Sequence, residues 1–221
     1  METAPFVPVA DPRPDDSPWP AMSWPPAPDV ELRGRAVVLT PVVPERDAGE
    51  LFAALDSDAV WRHVAGRPAD PEEMARSLGQ GIAAGRAPWL VRLLRPVGGL
   101  PAGAVAGTSS YLDVSVGDAR LEIGWTTYPP PVWGTSVNPE TKLLLLEHAF
   151  EALGAGRVQL KTDVRNQRSQ QAIARLGARY EGTLRRYQRR ADGTVRDTVL
   201  FSVLAEEWPA VRAGLRARLD G

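Results

Sequence analysis

The chain has 221 residues, a formal net charge of −1, no cysteine and two histidines, enough length for one sizeable core. Near-neutral charge gives no pull towards nucleic acid or anionic membrane, and the missing cysteines exclude disulfides, thiolate nucleophiles and thiolate-held metals. His63 and His148 stand too far apart in sequence for a histidine-rich metal site, no apolar run reaches the roughly 18 residues of a membrane span, and the N-terminus lacks a secretory signal, so the expectation is a soluble cytoplasmic protein without a metal.

Residues 1–30 form a proline-rich arm, "METAPFVPVADPRPDDSPWPAMSWPPAP" and two more residues. Proline removes backbone donors and biases its predecessor to extended states, so neither helix nor sheet propagates here. Trp19 and Trp24 carry large apolar area, which suits docking onto the domain or onto a second subunit in a homodimer. The domain proper is expected over 31–221. "RAVVLTPV" reads as a β-branched strand. "VPERDAGELFAALDSDAVWRHV" has apolar residues at helical spacing, with Pro44 suited to a helix start. "DPEEMARSLGQGIAAG" offers Asp70 as N-cap, Pro71 at the first helical position and two glutamates in the first turn. Three strands follow in "APWLVRLLRP", "PAGAVAGTSSYLDV" and "RLEIGWTTY", separated by Gly and Pro turns.

The second half reads helix, strand, helix, strand, strand, helix. "ETKLLLLEHAFEALG" puts Leu143, Leu146, Phe150 and Leu153 on one face, with Gly154 as C-cap. "RVQLKTDV" alternates as a strand, and "NQRSQQAIARLGA" is a short helix ended by Gly177. "RYEGTLRRYQRR" and "RDTVLFSVL" are strands joined by "ADGT", whose Asp-Gly favours a hairpin. "AEEWPAVRAGLRARL" is the last helix. Hairpin-type connections outnumber crossovers, which predicts an α/β chain with a mostly antiparallel sheet.

The loop ahead of the leucine-rich helix carries the functional hint. Asn138 can cap that helix, with Pro139 at its first position. Capping accounts for two residues and leaves the small ones, Gly134, Thr135, Ser136 and Val137, unexplained. Small residues let backbone N–H groups approach an anion, and the helix N-terminus adds partial positive charge, so phosphate binding fits this loop.

The strings "LEIGW", "VWG", "HAFEALGAGRVQLKTDVRNQRSQQAIARLGARYEGTLRR" and "DGTVRDTVLFSVLAEEW", in that order, resemble the GNAT N-acetyltransferase superfamily, and within it the branch that acetylates ribosomal-protein N-termini. The resemblance covers about residues 31 to 208. It implies a mixed, mostly antiparallel sheet of about six or seven strands flanked by helices, acetyl-CoA as cosubstrate, and an amine acceptor that is a protein N-terminus or a small molecule. The family loop that wraps the pyrophosphate has Gln or Arg, two residues, Gly, one residue, then Gly or Ala. The matching positions are Trp133, Ser136 and Asn138, and all three depart. The contacts are largely backbone N–H, so Trp133 to Asn138 remain the implied binding segment. Lys142 and Arg168 are basic neighbours, read as exposed and solvated. The pantetheine arm would lie between "GWTTY" and "RVQLKTDV", pairing with the backbone of Trp125, Thr126 and Thr127. Asn166 matches a family asparagine that contacts CoA, and equally suits the N-cap of its helix.

For catalysis the resemblance offers Glu122 as base on the central strand, with a structural pairing to an arginine as the alternative. Ser169 matches the branch's thiolate acid. The branch's glutamate base falls on Gln188, which cannot take a proton, and the tyrosine acid of other members falls on Ile173. His63 is placed to line an acceptor pocket or to pack, and His148 is structural. Trp61, Trp89 and Trp125 wall that pocket or fill the core. The basic run "RRYQRR" attracts an anion or guards a strand edge. With no cysteine to carry an acyl group, transfer would be direct, through a ternary complex. The competing reading is a non-catalytic acyl-CoA-binding or scaffold domain.

Overall fold

A computed structural model describes residues 6–11 and 19–221. In chain order its elements are β1 (Leu32–Arg33), β2 (Val37–Pro41), α1 (Pro44–Leu55), α2 (Asp58–Trp61), α3 (Pro71–Ala83), β3 (Ala87–Leu93), β4 (Val105–Ser115), β5 (Arg120–Thr127), α4 (Val137–Glu147), β6 (Arg157–Asp163), α5 (Gln167–Ala174), β7 (Arg179–Arg189), β8 (Val195–Leu204) and α6 (Trp208–Asp220). Pro44 and Pro71 each open their helices, where a missing N–H costs nothing. The Asp70 carboxylate accepts from Glu73 N at 2.7 Å, the expected cap. The stretch 43–64 reads as one helix in sequence but breaks at Asp56 and Ser57, and α2 restarts for a single turn.

Eight strands form one sheet in the order β1-β2-β3-β4-β5-β6-β8-β7, antiparallel except for the β5–β6 pair. The sequence expectation of six or seven strands misses β1, which is two residues long and too short to show alternation. The Asp-Gly hairpin joins β7 to β8, with Gly193 at φ +81°. β7 is an edge strand, and its "RRYQRR" run is largely exposed with Arg186 at φ +52°. Charge and irregularity there discourage pairing with another chain.

Alternation along β3 divides the core. Leu90 packs with α1 and α3 residues such as Leu51, Leu55, Met74 and Leu78, whereas Trp89, Val91 and Leu93 pack with Leu145 and Leu146 of α4 and Leu215 of α6. The sheet is therefore covered on both faces, with α1 and α3 on one and α4 and α6 on the other.

α4 starts two residues earlier than the sequence implies. Ser136 occupies the cap position without a side-chain cap bond, so Asn138 and Pro139 lie in the first turn rather than at the cap. Its end passes into a π-helical turn over His148–Ala152, where Leu153 N reaches back to His148 O. Gly154 ends the segment at φ +74°. That left-handed residue also meets the arm, since a Cβ there would lie 2.4 Å from Ala21 O. The arm runs along this end of α4. Ser23 N donates to Leu153 O at 2.8 Å, Met22 is buried in the main core, and Trp24 is half-buried edge-on to Tyr111. Trp24 thus docks on its own domain, while Trp19 is 66% exposed. The rest of the arm expectation, over 1–5 and 12–18, lies outside the described residues.

Glu140 ties α4 to the opposite end of the sheet. It is buried, and its carboxylate accepts from the backbone N–H of Arg35, Ala36 and Val37 at 2.7 to 2.9 Å. Gly34 makes room, because a Cβ there would sit 2.6 Å from the Glu140 carboxyl carbon.

Candidate active site

The sheet opens at its middle. β5 and β6 pair only over Arg120–Glu122 and Arg157–Gln159, although β5 continues to Thr127 and β6 to Asp163. On its other side β5 shifts register against β4 twice, and Trp125 has φ +48°. Bulged pairing strengthens local twist and bends the strand, which turns the end of β5 away from β6. A cleft results between Trp125–Thr127 and the far end of β6, and the chain leaving β5 enters α4 through the small-residue loop.

Side-chain bonds hold that loop in shape. Trp133 Nε1 donates to Tyr128 O at 2.7 Å and Thr135 Oγ1 donates to Val132 O at 2.7 Å. Gly134 adopts φ +75°. Among the described residues, the N–H groups of Gly134, Ser136 and Asn138 have no hydrogen-bond partner. The Arg168 guanidinium stacks on the Trp133 ring at 3.4 Å. Where the family loop carries its own polar or cationic residue, this loop has a tryptophan that holds a guanidinium from α5 against it. Burial lowers the pKa of Arg168 from its ordinary value. Asn166 caps α5, accepting from Ser169 N at 3.1 Å, so the capping half of its expected role is present and Ser169 sits in the first turn.

Glu122 is buried, and Lys161 Nζ lies 2.7 Å from its carboxylate. The pairing partner is thus a lysine from β6 rather than an arginine. Gln159 adds a bond at 3.3 Å, and Gly124 leaves the space that the carboxylate fills. Burial raises the Glu122 pKa, and Lys161 pulls it back. Gln188 lies on the exposed edge strand, paired in register with Arg196. Ile173 is buried in the main core.

Lys142 departs most from the sequence reading. It is 4% exposed, not solvated. Its Nζ donates to Thr126 Oγ1 at 2.6 Å and to Ser109 Oγ at 3.0 Å, beneath the end of β5. No carboxylate of the described residues lies within ion-pair distance of it. Desolvation lowers its pKa from 10.5 to about 7. The sequence did hold a sign of this: Leu145, Leu146 and Ala149, at i+3, i+4 and i+7 from Lys142, are all fully buried.

On the α1–α3 face a small cavity, partly open to solvent, abuts the end of β5. Trp61 and Trp125 line it, as do Thr127 and Arg86, but Trp89 does not. Trp89 is buried on the opposite face, edge-on to Tyr111 and His148, and His148 packs there as expected, with Tyr111 Oη at 3.2 Å from its Nδ1. His63 is half-buried, and burial lowers its pKa while the charge of Asp163 raises it. Among the described residues, no group of three or more His, Asp or Glu side chains gathers as a metal site requires, and no helix is long and apolar enough to cross a membrane.

A sheet split beside a helix that begins in a free-amide loop offers an opening with donors for an anion. Residues 36–179 match the model of the acetyltransferase (GNAT) domain. The chain belongs to the GNAT acetyltransferase family. It is similar to an N-acetyltransferase named p20 from Bacillus licheniformis, 29% identical over 104 residues that cover 47% of this chain and 57% of that one, so the match spans little more than half of that relative. Among solved structures it resembles one from T. thermophilus, whose assignment as an acetyltransferase is itself provisional, at 40% identity and TM-score 0.75, covering 89% of this chain and all of the other. A GCN5-related N-acetyltransferase from Brucella melitensis matches at 27% identity and TM-score 0.79, over 91% of this chain and 89% of that one. Mycobacterium smegmatis RimJ, solved in complex with CoA-disulfide, shares the fold at 23% identity and TM-score 0.69, over 82% of this chain and 88% of that one.

Proposed function

We propose that this chain transfers an acetyl group from acetyl-CoA directly to a primary amine. The observation that carries the reading is the cleft between β5 and β6, opening at the start of α4. There the free N–H groups of Gly134, Ser136 and Asn138 would hold the pyrophosphate, with Arg168 on Trp133 adding positive charge. The backbone of Trp125–Thr127, unpaired on its β6 side, would pair with the pantetheine arm, beside Asn166. Holding thioester and amine together supplies much of the rate effect.

The acceptor ammonium must lose a proton before it attacks. Glu122 is the proposed base: buried, with a pKa raised by desolvation and drawn back by Lys161 at 2.7 Å. Ser169, in the first turn of α5, is the proposed donor to the departing thiolate. Glu122→Gln should lower kcat by about 10²- to 10⁴-fold, with little change in CoA affinity, and the deficit should shrink at high pH, where the amine is neutral unaided. Because the substitution also strips Lys161 of its partner, a loss of thermal stability is expected either way. The pH–rate profile is the deciding measurement, and profiles parallel to wild type with similar kcat would remove Glu122 from the mechanism.

A further inference from the structure

The cavity beside Trp125 has an unusual polar inventory. Its walls are mainly apolar, from Leu51, Leu55, Trp61 and Met74. Two buried polar atoms that line or border it have no hydrogen-bond partner: Arg86 Nε and Thr127 Oγ1. Thr127 is 4% exposed. Arg86 is half-buried and uses one bond, from Nη2 to Ser77 O at 3.3 Å. Its guanidinium lies across Gly81 of α3, where a Cβ would come within 2.4 Å of it, and stacks on Trp125 at 4.7 Å. No carboxylate of the described residues lies within ion-pair distance of Arg86. Unmade hydrogen bonds on buried polar groups are costly, and a buried guanidinium is ordinarily paired. Both groups can donate, Arg86 through a planar fork and Thr127 through its hydroxyl, and Arg86 Nε and Thr127 Oγ1 both lack an acceptor.

We propose that this cavity is the acceptor site and that the acceptor is a small amine carrying a carboxylate on an apolar frame, the carboxylate received by Arg86 and Thr127. This rests on the transferase reading above and deepens it. A guanidinium matches a carboxylate in two parallel bonds, and the aromatic walls take the apolar frame. A protein N-terminus supplies no α-carboxylate beside its amine, since that carboxyl is consumed in a peptide bond. A polyamine would meet the unpaired positive charge of Arg86. Trp125 and Thr127, at the end of β5 that borders the cleft, both line this cavity.

The test is calorimetry on the full chain with two probes of one shape, 3-phenylpropanoate and its uncharged amide. The carboxylate should bind about 10- to 100-fold more tightly, as expected for hydrogen bonds to charged groups. Arg86→Met should erase the difference, Arg86→Lys should keep part of it, and Thr127→Val, which preserves shape, should reduce it several-fold even if Arg86→Met fails to fold. Equal affinities, tighter binding of the amide, no binding of the carboxylate, or a preference that survives Arg86→Met would each overturn the inference. Titration with CoA is run beside it. Failure there strikes at the transferase reading and leaves the carboxylate result readable. With acetyl-CoA present, thiol release should favour phenylalanine over phenylalaninamide in wild type, and a preference for the amide would also overturn the proposal.

Discussion

Replacing Lys142 by Met should stabilise this protein near neutral pH and lose that advantage in alkali. Lys142 has a pKa of about 7 in the fold against an ordinary 10.5, so between those values the unfolded chain binds a proton that the folded chain does not. Stability therefore rises with pH across that window and is lowest at and below pH 7. At about 1.4 kcal/mol per pH decade, the full window corresponds to roughly 5 kcal/mol. Against this stand two hydrogen bonds, to Thr126 and Ser109, worth about 1 kcal/mol each. Their loss is softened because those hydroxyls lie 2.8 Å apart and can bond each other. Methionine fills the volume without a charge to desolvate. The net expectation is a gain of about 2 kcal/mol at pH 7, a vanishing difference near pH 9, and a loss of about 1 kcal/mol at pH 10. Urea denaturation of both proteins at those three pH values measures it. Taking the difference cancels other groups that titrate in alkali, Tyr111 and Tyr128 among them. A difference that stays constant from pH 7 to 10 would refute the reasoning and show Lys142 to be charged throughout.

Four further substitutions probe the frame around the site. Glu140→Gln should cost about 3 kcal/mol or more in urea denaturation, because one amide oxygen cannot replace a carboxylate that accepts from Arg35, Ala36 and Val37. Trp24→Ala should cost about 2 kcal/mol and Trp19→Ala less than about 0.5, since only Trp24 packs on the domain, and melting temperatures distinguish them. Gly154→Ala should destabilise by at least about 1 kcal/mol, through its positive φ and the contact with Ala21 O, and should loosen the arm, which limited proteolysis reads directly.

Elements defined by local chemistry were legible in the sequence. Asp70 caps α3, Asn166 caps α5, and the Asp-Gly turn makes the β7–β8 hairpin, because each depends on residues a few positions apart. The two-residue β1 was not, since it exists only by pairing with β2. The loop at 133–138 was found, yet its cap was misplaced by the usual Asn-Pro preference: Ser136 takes the cap position with an unused side chain. Trp89 shows why aromatic residues are poor pointers to a pocket. Strand alternation puts it on the α4 face, and which face borders the cavity depends on packing that no short string records. The Glu122–Lys161 pair crosses between strands separated by α4, and its register was not written locally. Arg86 carried no signal at all: it stands in a Gly-Arg-Ala turn, and its meaning comes only from the absence of an acid around it.

The three-residue contact between β5 and β6 gives the sheet a seam. Strands β1–β5 and β6–β8 are each closely laddered, but across the seam the backbone bonds stop at Glu122 and Gln159. The two leaves should therefore breathe as separate blocks, with amides of Trp125–Thr127 exchanging faster than those of β4 or β8. On the proposed reading, a pantetheine arm in the opening serves as a surrogate strand: its amides take up the ladder where the polypeptide leaves off, and the sheet is continuous only when loaded. Cosubstrate binding is then also the last step of sheet assembly, so it should raise exchange protection across both leaves rather than only at the groups it touches.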